Sequence, residues 1–518
     1  VMASYMGQVA TFQALISQRV AQSTNLAVSF PANNAIDHEV NRQLRKLRIA
    51  PSARANDAEY ARRAYLDIIG MLPTADETAK FLNDDSADKR QRLVDDLLHR
   101  PEYADVWALR WGDVLRVDRQ KLGHKNAQSY YRWIREQFET NRPFDEVARS
   151  IVTASGPLSQ QPAGHFYQVV TKPGERASTL SQVFLGTRIA CAECHHHPFD
   201  RWSQTDFYGM ASFFQPVSPK TTTRGTLLAV SKTKPLVHPR TKSPVLPHPL
   251  GESIPDDLLE TDPRLELANW MTADDNPFFA RAIANRVWAK FLGRGLVEPV
   301  DDFRETNPPS NPQLLDALAK HFVKSNFDLH ELIRYITASE AYQRSSEPNT
   351  SNMGDEMNYS RALLKRMDAE VLYDAINQVT GSSDKFQGVP KGARAVELWD
   401  SEVRHEFLSL FGRPQRKTSC ECERGGQPSV SQVLHVLNSP NLEAKLQHPQ
   451  GQVMQLTRQH SDNVELATAM YLTFIARGPS PDELREASEH LSLSSNRPAA
   501  AVDLAWAMLN SLEFLFNH

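Results

Sequence analysis

Two of the four cysteines and three of the 17 histidines fall within seven residues, in the string Arg188-Ile-Ala-Cys191-Ala-Glu-Cys194-His195-His196-His197-Pro198-Phe199. With these counts a Cys-x-x-Cys-His string arises by chance on the order of once in 1,300. Its chemistry is specific: the two thiols, one helical turn apart, add across the two vinyl groups of haem, and the adjoining imidazole reaches the iron from the same side. Two other chemistries use the same residues. Cys191, Cys194, His195 and His197 could supply thiolates and imidazoles to zinc, although adjacent side chains rarely close a tetrahedron and structural zinc sites draw their second pair from further along the chain. A thioredoxin-like thiol pair wants a neighbouring βαβ pattern, and none is legible. The preferred reading is one covalent haem c, held by Cys191 and Cys194, with His195 as proximal iron ligand. His197, fixed before Pro198, suits a propionate or a supporting hydrogen bond.

The distal side of such a haem sets its behaviour, because methionine raises the potential, a second histidine lowers it and an open position admits other ligands. Met210, 15 residues beyond His195, could fold back across the ring. A methionine inside Tyr208-Gly-Met-Ala-Ser-Phe-Phe is equally a core residue. His405 and His435, in the second half of the chain, are the long-range candidates. Beside them lies the other cysteine pair, Cys420-Glu-Cys422, which no histidine follows. In an oxidising compartment it could close a small disulfide, or with Glu421 or Glu423 hold a second metal. It could also simply pack in a loop ordered by Arg413, Arg416 and Arg424. If this region covers the haem, the interface between the halves becomes the cofactor pocket.

Composition narrows the class. Of 518 residues, 41% are hydrophobic and 23% charged, with a formal net charge of -4, so nothing calls for a nucleic-acid partner. No apolar run approaches the roughly 20 residues that span a bilayer, and the first residues do not resemble a signal peptide. Haem c is attached outside the cytoplasmic membrane, so the expectation is a periplasmic or extracellular protein whose signal and an upstream domain are missing before Val1. Nucleophile elbows, P-loops and H-E-x-x-H are absent.

Apolar residues recur at three- and four-residue spacing: Val40, Leu44 and Leu47, then Leu93, Leu97 and Leu98, then Leu314, Leu315, Leu318 and Phe322. The chain also repeats itself. Tyr65-Leu66 precedes Pro73-Thr74 and Glu77 as Tyr471-Leu472 precedes Pro479-Ser480 and Glu483, and the copies end at Glu102-Tyr103 and Glu513-Phe514. A second pair matches Phe138, Phe144-Asp145 and Thr153 with Phe322, Phe327-Asp328 and Thr337. The expected fold is mainly α, in two related helical halves. Between them lies a small irregular β-excursion broken by Pro235, Pro239, Pro244, Pro247 and Pro249, and Val1 to Phe12 reads as a remnant strand pair. The expected segments are 1–35, 36–215, 216–264 and 265–518.

Several of these motifs resemble a known pair of domains. Arg63-Ala-Tyr-Leu-Asp67, Arg100-Pro-Glu-Tyr103 and Phe184-Leu-Gly186 leading into the Cys191 string resemble the planctomycete cytochrome-like domain of unknown function. Asn285-Arg-Val-Trp288, Gly293-Arg-Gly-Leu-Val297, Asp301-Asp-Phe-Arg304, Phe411-Gly-Arg-Pro414 and Cys420-Glu-Cys-Glu-Arg424 resemble its usual C-terminal companion, also of unknown function. The resemblance implies export and a preceding immunoglobulin-like module, but no reaction. The expected function is an exported c-type cytochrome acting in electron transfer with a redox protein partner or within a larger redox assembly. The alternatives are a haem-dependent oxidoreductase acting on a small molecule or carbohydrate, and a scaffold that holds a haem.

Overall fold

Helix caps explain where the chain starts its elements. Asn34 accepts a hydrogen bond from the Ile36 amide and opens the helix Ala35–Leu47, whose buried face carries Val40, Leu44 and Leu47 and whose end is closed by Arg48 in the left-handed region. The same logic continues to the C-terminus. From Ala35 to Leu515 the described elements of this computed structural model are mostly helices, with short strands between them. The structure describes all residues except 1, 6–7, 13, 15, 17–28, 224, 233, 253–260 and 426–428.

The repeated motifs fold alike. Helices Asp57–Ile68, Ala75–Leu82 and Lys89–Leu98 follow one another as do Asn463–Phe474, Pro481–Leu493 and Arg497–Leu509. The second helix of each set opens with a capping box, Thr74 with Glu77 and Ser480 with Glu483, an arrangement that satisfies two otherwise orphaned amides. Each box glutamate also receives an arginine that lies over the motif tyrosine. Arg100 sits 5.8 Å from the Tyr65 ring and bridges Glu77 and Glu102. Arg477 sits 5.5 Å from the Tyr471 ring and bridges Glu483 and Glu513. The guanidinium comes from the end of the motif in one copy and from its first loop in the other, so the network is kept while its donor has moved. In the second repeat pair, Asn141 and Asn326 both adopt positive φ, 44° and 55°. Their turns meet directly, with the Phe144 amide donating to the Phe327 carbonyl at 3.0 Å and Asn141 to Asp328 at 2.9 Å.

Two apolar cores result. One gathers buried residues from Ile36 to Tyr359, and the other joins Leu66, Leu72, Val106 and Leu109 to residues from Met367 to Phe514. The cores therefore separate near residue 360, beyond the boundary at 265 that the sequence pattern marks. The physical reason is the helix Phe279–Leu292, which is buried on nearly all sides through Phe279, Ile283, Val287, Trp288 and Phe291 and so cannot be detached from the first core.

The excursion after helix Gln204–Ser212 is a three-stranded sheet in which Gly225–Val230 pairs with both Val217–Thr222 and Gly156–Pro157, followed by the strand pair Leu236–Val237 and Pro244–Val245. Pro219 and Pro157 both sit on edge strands, where a missing amide is tolerated. Ser212 ties the excursion to the helix below, donating to the Val245 carbonyl at 2.8 Å. At the N-terminus Met2–Tyr5 pairs antiparallel with Gln8–Thr11; the joining Met6-Gly7 lies outside the described residues.

One packing contact carries a pH dependence. His330 is 7% exposed, packs edge-on against Tyr103 at 4.7 Å, and leaves Nε2 without a partner. Burial, against a counter-pull from Asp328, pushes its imidazole down to about 4. The unfolded chain then binds a proton that the native state refuses, so stability is complete above the ordinary histidine value and falls as pH drops from about 6.5 to about 4, by up to about 3 kcal/mol. His330→Phe should flatten that part of a stability-versus-pH curve from urea unfolding; an unchanged acid limb would show that other groups cause it.

Candidate functional site

Helix Pro173–Phe184 delivers the chain to Gly186, whose φ of 65° turns it toward the cysteine string. A Cβ at Gly186 would lie 2.6 Å from Phe303 Cδ2, so glycine is required both by conformation and by this close approach. The segment Ala190–Glu193 is a short 3-10 turn anchored by buried Ala192, and it leaves Cys191 and Cys194 exposed as free thiols. His195 is also exposed, and its Nδ1 lies 2.7 Å from the His196 carbonyl. A proton on Nδ1 donated to that carbonyl leaves Nε2 as the nitrogen available to a metal. His197 is held differently. Its amide donates to the Trp202 carbonyl at 2.8 Å and its Nδ1 accepts from the Phe199 amide at 3.3 Å. Burial lowers its proton affinity, against the pull of Asp200, so the ring is neutral with Nε2–H as its donor.

Residues of the companion half grip this turn from behind. Asp301 accepts from Arg188 at 2.5 Å and from Gln182 at 2.7 Å. The Phe303 amide donates to Gly186 at 2.8 Å, Thr306 donates to the Phe199 carbonyl at 3.0 Å, and Arg304 lies 5.6 Å from the Phe199 ring. Arg188 also points at Cys420, 3.6 Å from its Sγ. Cys420 and Cys422 are joined by a disulfide.

That disulfide lines a cleft of about 560 Å³ between the two cores. Its walls mix apolar side chains with ion pairs: Lys365 with Asp67 at 2.6 Å, Arg110 with Asp368 at 2.7 Å, and Arg424 with Asp113 at 2.6 Å. Burial resists ionisation of Asp368, but Arg110, Arg424 and Lys290 outweigh it and hold the carboxylate well below the usual range.

The remaining candidate ligands lie elsewhere. Met210 is 1% exposed on helix Gln204–Ser212, within the first core; its thioether is packed among apolar side chains, so the distal role considered from sequence gives way to the core one. His405 packs against Tyr373 at 4.6 Å and His435 against Phe407 at 5.7 Å, in a separate pocket of the second core. The companion half thus reaches the cysteine turn through Asp301, Phe303, Thr306 and Cys420, and not through its histidines. Among the described residues, no group of three or more His, Cys, Asp or Glu side chains is disposed to hold a metal ion, which removes support from a zinc site at Cys191, Cys194, His195 and His197. A haem asks less of the protein: two reachable thiols and one imidazole, all present on one turn.

Sequence reading missed the cleft. Lys290 and its neighbours come from four elements far apart in the chain, and buried ion pairs leave no periodic mark. Only the clustering of arginines around Cys420 hinted at it.

Two family models match the chain. One, PSCyt2, a protein of unknown function (DUF1549), covers residues 35–219; the other, PSD1, a protein of unknown function (DUF1553), covers residues 263–491. No curated protein and no solved structure shows detectable similarity. Among the described residues no helix is long and apolar enough to cross a membrane. With the Cys191 turn inside the first match and the Asp301 and Cys420 segments inside the second, the chain is a DUF1549 domain and a DUF1553 domain in tandem.

Proposed function

We propose that this protein is an exported c-type cytochrome acting in electron transfer, with a redox protein partner or within a larger assembly. The observation that carries the reading is the exposure of Cys191, Cys194 and His195 together on one short turn. Structural thiols are usually buried, whereas thioether formation needs both sulfurs within reach of a cofactor and of the machinery that attaches it. Cys191 and Cys194 would hold the haem covalently, His195 would bind the iron, and His197 would offer its Nε2–H at the edge of the cofactor. The haem would supply one-electron chemistry. This chain's own residues fix the turn: Gly186 sets its direction, Asp301 neutralises Arg188, and the Trp202 carbonyl orients His197. An exposed attachment turn suits electron transfer, since a haem edge near the surface lets a partner approach.

The test is the intact mass of the denatured protein, produced in a host that matures c-type cytochromes and exports the chain. It should exceed the sequence mass by one haem. Redox titration should then give a reversible one-electron step, and the reduced form should be indifferent to carbon monoxide. An unmodified mass rejects the haem. A covalent haem that binds carbon monoxide favours the alternative, an oxidoreductase acting on a small molecule or carbohydrate, for which the neighbouring cleft is the supporting observation.

A further inference from the structure

Between Asp206 and Glu252 the chain has six lysines and arginines, Lys220, Arg224, Lys232, Lys234, Arg240 and Lys242, and no acidic residue. The whole chain carries a formal net charge of -4, so these six positive charges leave -10 on the rest. Basic groups elsewhere are consumed in ion pairs, as Arg424 is by Asp113 and Glu370. Those of the excursion are not. Lys220, Lys232, Lys234, Arg240 and Lys242 are exposed, and among the described residues their side chains have no hydrogen bond and no ion pair; Arg224 lies outside the described residues.

The charges stand on a braced support. His238 is 7% exposed, and its Nδ1 accepts from the amides of Arg240 and Thr241, both at 3.2 Å, which fixes the turn joining Leu236–Val237 to Pro244–Val245. Its ring lies 5.8 Å from that of Tyr208 on helix Gln204–Ser212. Gln204, at the start of the same helix, donates to the Glu193 carbonyl in the cysteine turn at 3.0 Å. The helix has nine residues and is about 13 Å long, so the basic strand pair and the cysteine turn share one short support.

Composition narrows what this surface can meet. From Pro216 to Gly251 there is no Phe, Tyr or Trp, so the excursion offers neither the stacking platform of a single-stranded nucleic-acid site nor the aromatic anchors of a membrane surface. It does leave Val230, Val237 and Leu246 exposed among the charges, at 38%, 56% and 39%. Apolar contacts ringed by polar and charged groups are the make-up of a protein-docking surface.

We propose that the excursion is the docking surface for an acidic face of a partner protein, the redox partner of the function proposed above. Only the partner's redox character rests on that reading; the basic surface does not. Attraction to a local positive surface raises the encounter rate and orients the partner even on a chain of negative net charge. Val237 and Leu246 supply apolar contact once the faces meet.

The first measurement is binding of the full chain to poly-L-glutamate, a carboxylate polymer standing in for an acidic protein face, and it needs no haem. Lys234→Glu/Arg240→Glu should weaken it at least about tenfold. Lys385→Glu/Lys391→Glu changes the net charge equally, at exposed lysines of the companion half, and should leave it within about twofold. All four side chains are exposed, so both variants should fold like the parent. The second measurement is oxidation of the haem-loaded, reduced chain by ferricyanide. The net charge predicts a rate that rises with salt as repulsion is screened, whereas attraction to the excursion predicts one that falls. The parent should slow severalfold between about 20 and about 200 mM NaCl, and Lys234→Glu/Arg240→Glu should lose that trend. Equal weakening of polyglutamate binding by the two double variants overturns the proposal. So does retention on phosphatidylglycerol vesicles that Lys234→Glu/Arg240→Glu abolishes, which would make the occupant a lipid surface. Polyglutamate binding through the excursion by a chain that takes no haem refutes the cytochrome reading and leaves the docking surface standing. A haem-bearing parent whose oxidation speeds up with salt refutes the service of this surface to the haem.

Discussion

Replacing Cys191 and Cys194 together by serine should abolish covalent haem, leaving a denatured protein that carries the sequence mass alone. Serine hydroxyls do not add across vinyl groups under the conditions of haem c maturation, so no partial product is expected from the double variant. Each single variant should retain one thioether at most, with lower yield. His195→Ala should behave differently from both. Its thiols remain exposed on the Ala190–Glu193 turn, so haem that attaches is held covalently but loses its proximal imidazole, and the visible spectrum should move to a weak-field, ligand-accepting form. The fold should tolerate all three changes, because these side chains are solvent-exposed and contribute little to either core. Full covalent haem in the double serine variant, read by mass and by haem staining after denaturation, would show that attachment lies elsewhere.

The largest effect on stability should come from Arg424→Ala. Arg424 joins Asp113 on helix Pro101–Val114 to Glu370 on helix Ala369–Thr380, each at 2.6 Å, and Glu370 is fully buried. Burial disfavours its charge, yet Glu370, Asp113 and Asp368 outweigh that and bind the proton more tightly than in water. With the guanidinium gone, Asp113 keeps Arg416 at 2.8 Å, but Glu370 keeps only Arg413 at 3.6 Å. An under-compensated buried carboxylate costs about 3–5 kcal/mol when one partner of such a pair is removed. Arg424→Lys should recover only part, since an ammonium cannot span two carboxylates as a planar fork does. Urea unfolding should show the loss for Ala, and the Arg424→Ala/Glu370→Gln double variant should be more stable than Arg424→Ala alone. A loss under about 1 kcal/mol would place the stability of this interface in its apolar contacts instead.

Much of the helical layer was legible because its signals are local. The capping boxes at Thr74 and Ser480, the apolar faces of Val40–Leu44–Leu47 and Leu314–Leu318–Phe322, and the prolines of the excursion all act within a few residues of themselves. The repeat was legible for the same reason, since Tyr65 and Tyr471 stand at equal distances from their boxes. The core boundary was not. Helix Phe279–Leu292 belongs to the second domain by motif and to the first core by burial, and a helix buried on most of its surface does not say which neighbours it will meet. Within the site, the Cys191 turn announced itself by composition. The cleft did not, because Asp67, Lys365, Arg110 and Asp368 are brought together only by tertiary packing.

The contacts of Arg62 and Arg63 bear on the order in which this molecule matures. Arg62 is 2% exposed and donates to the carbonyls of Glu513 at 2.8 Å and Phe514 at 3.0 Å, while Arg63, 1% exposed, donates to that of His518 at 2.8 Å. These are closures across some 450 residues, and a contact of that separation forms late, after the loop entropy of everything between has been overcome. Without residues 513–518 Arg63 keeps Glu59 at 2.8 Å and the carbonyls of Tyr342 and Arg344, whereas Arg62 loses both of the carbonyls it donates to. The cysteine turn is solvent-facing in the finished fold. Were Cys191 and Cys194 to take a haem as proposed, a late closure of this kind would leave both thiols within reach of an attachment enzyme before the far ends of the sequence lock the domain shut.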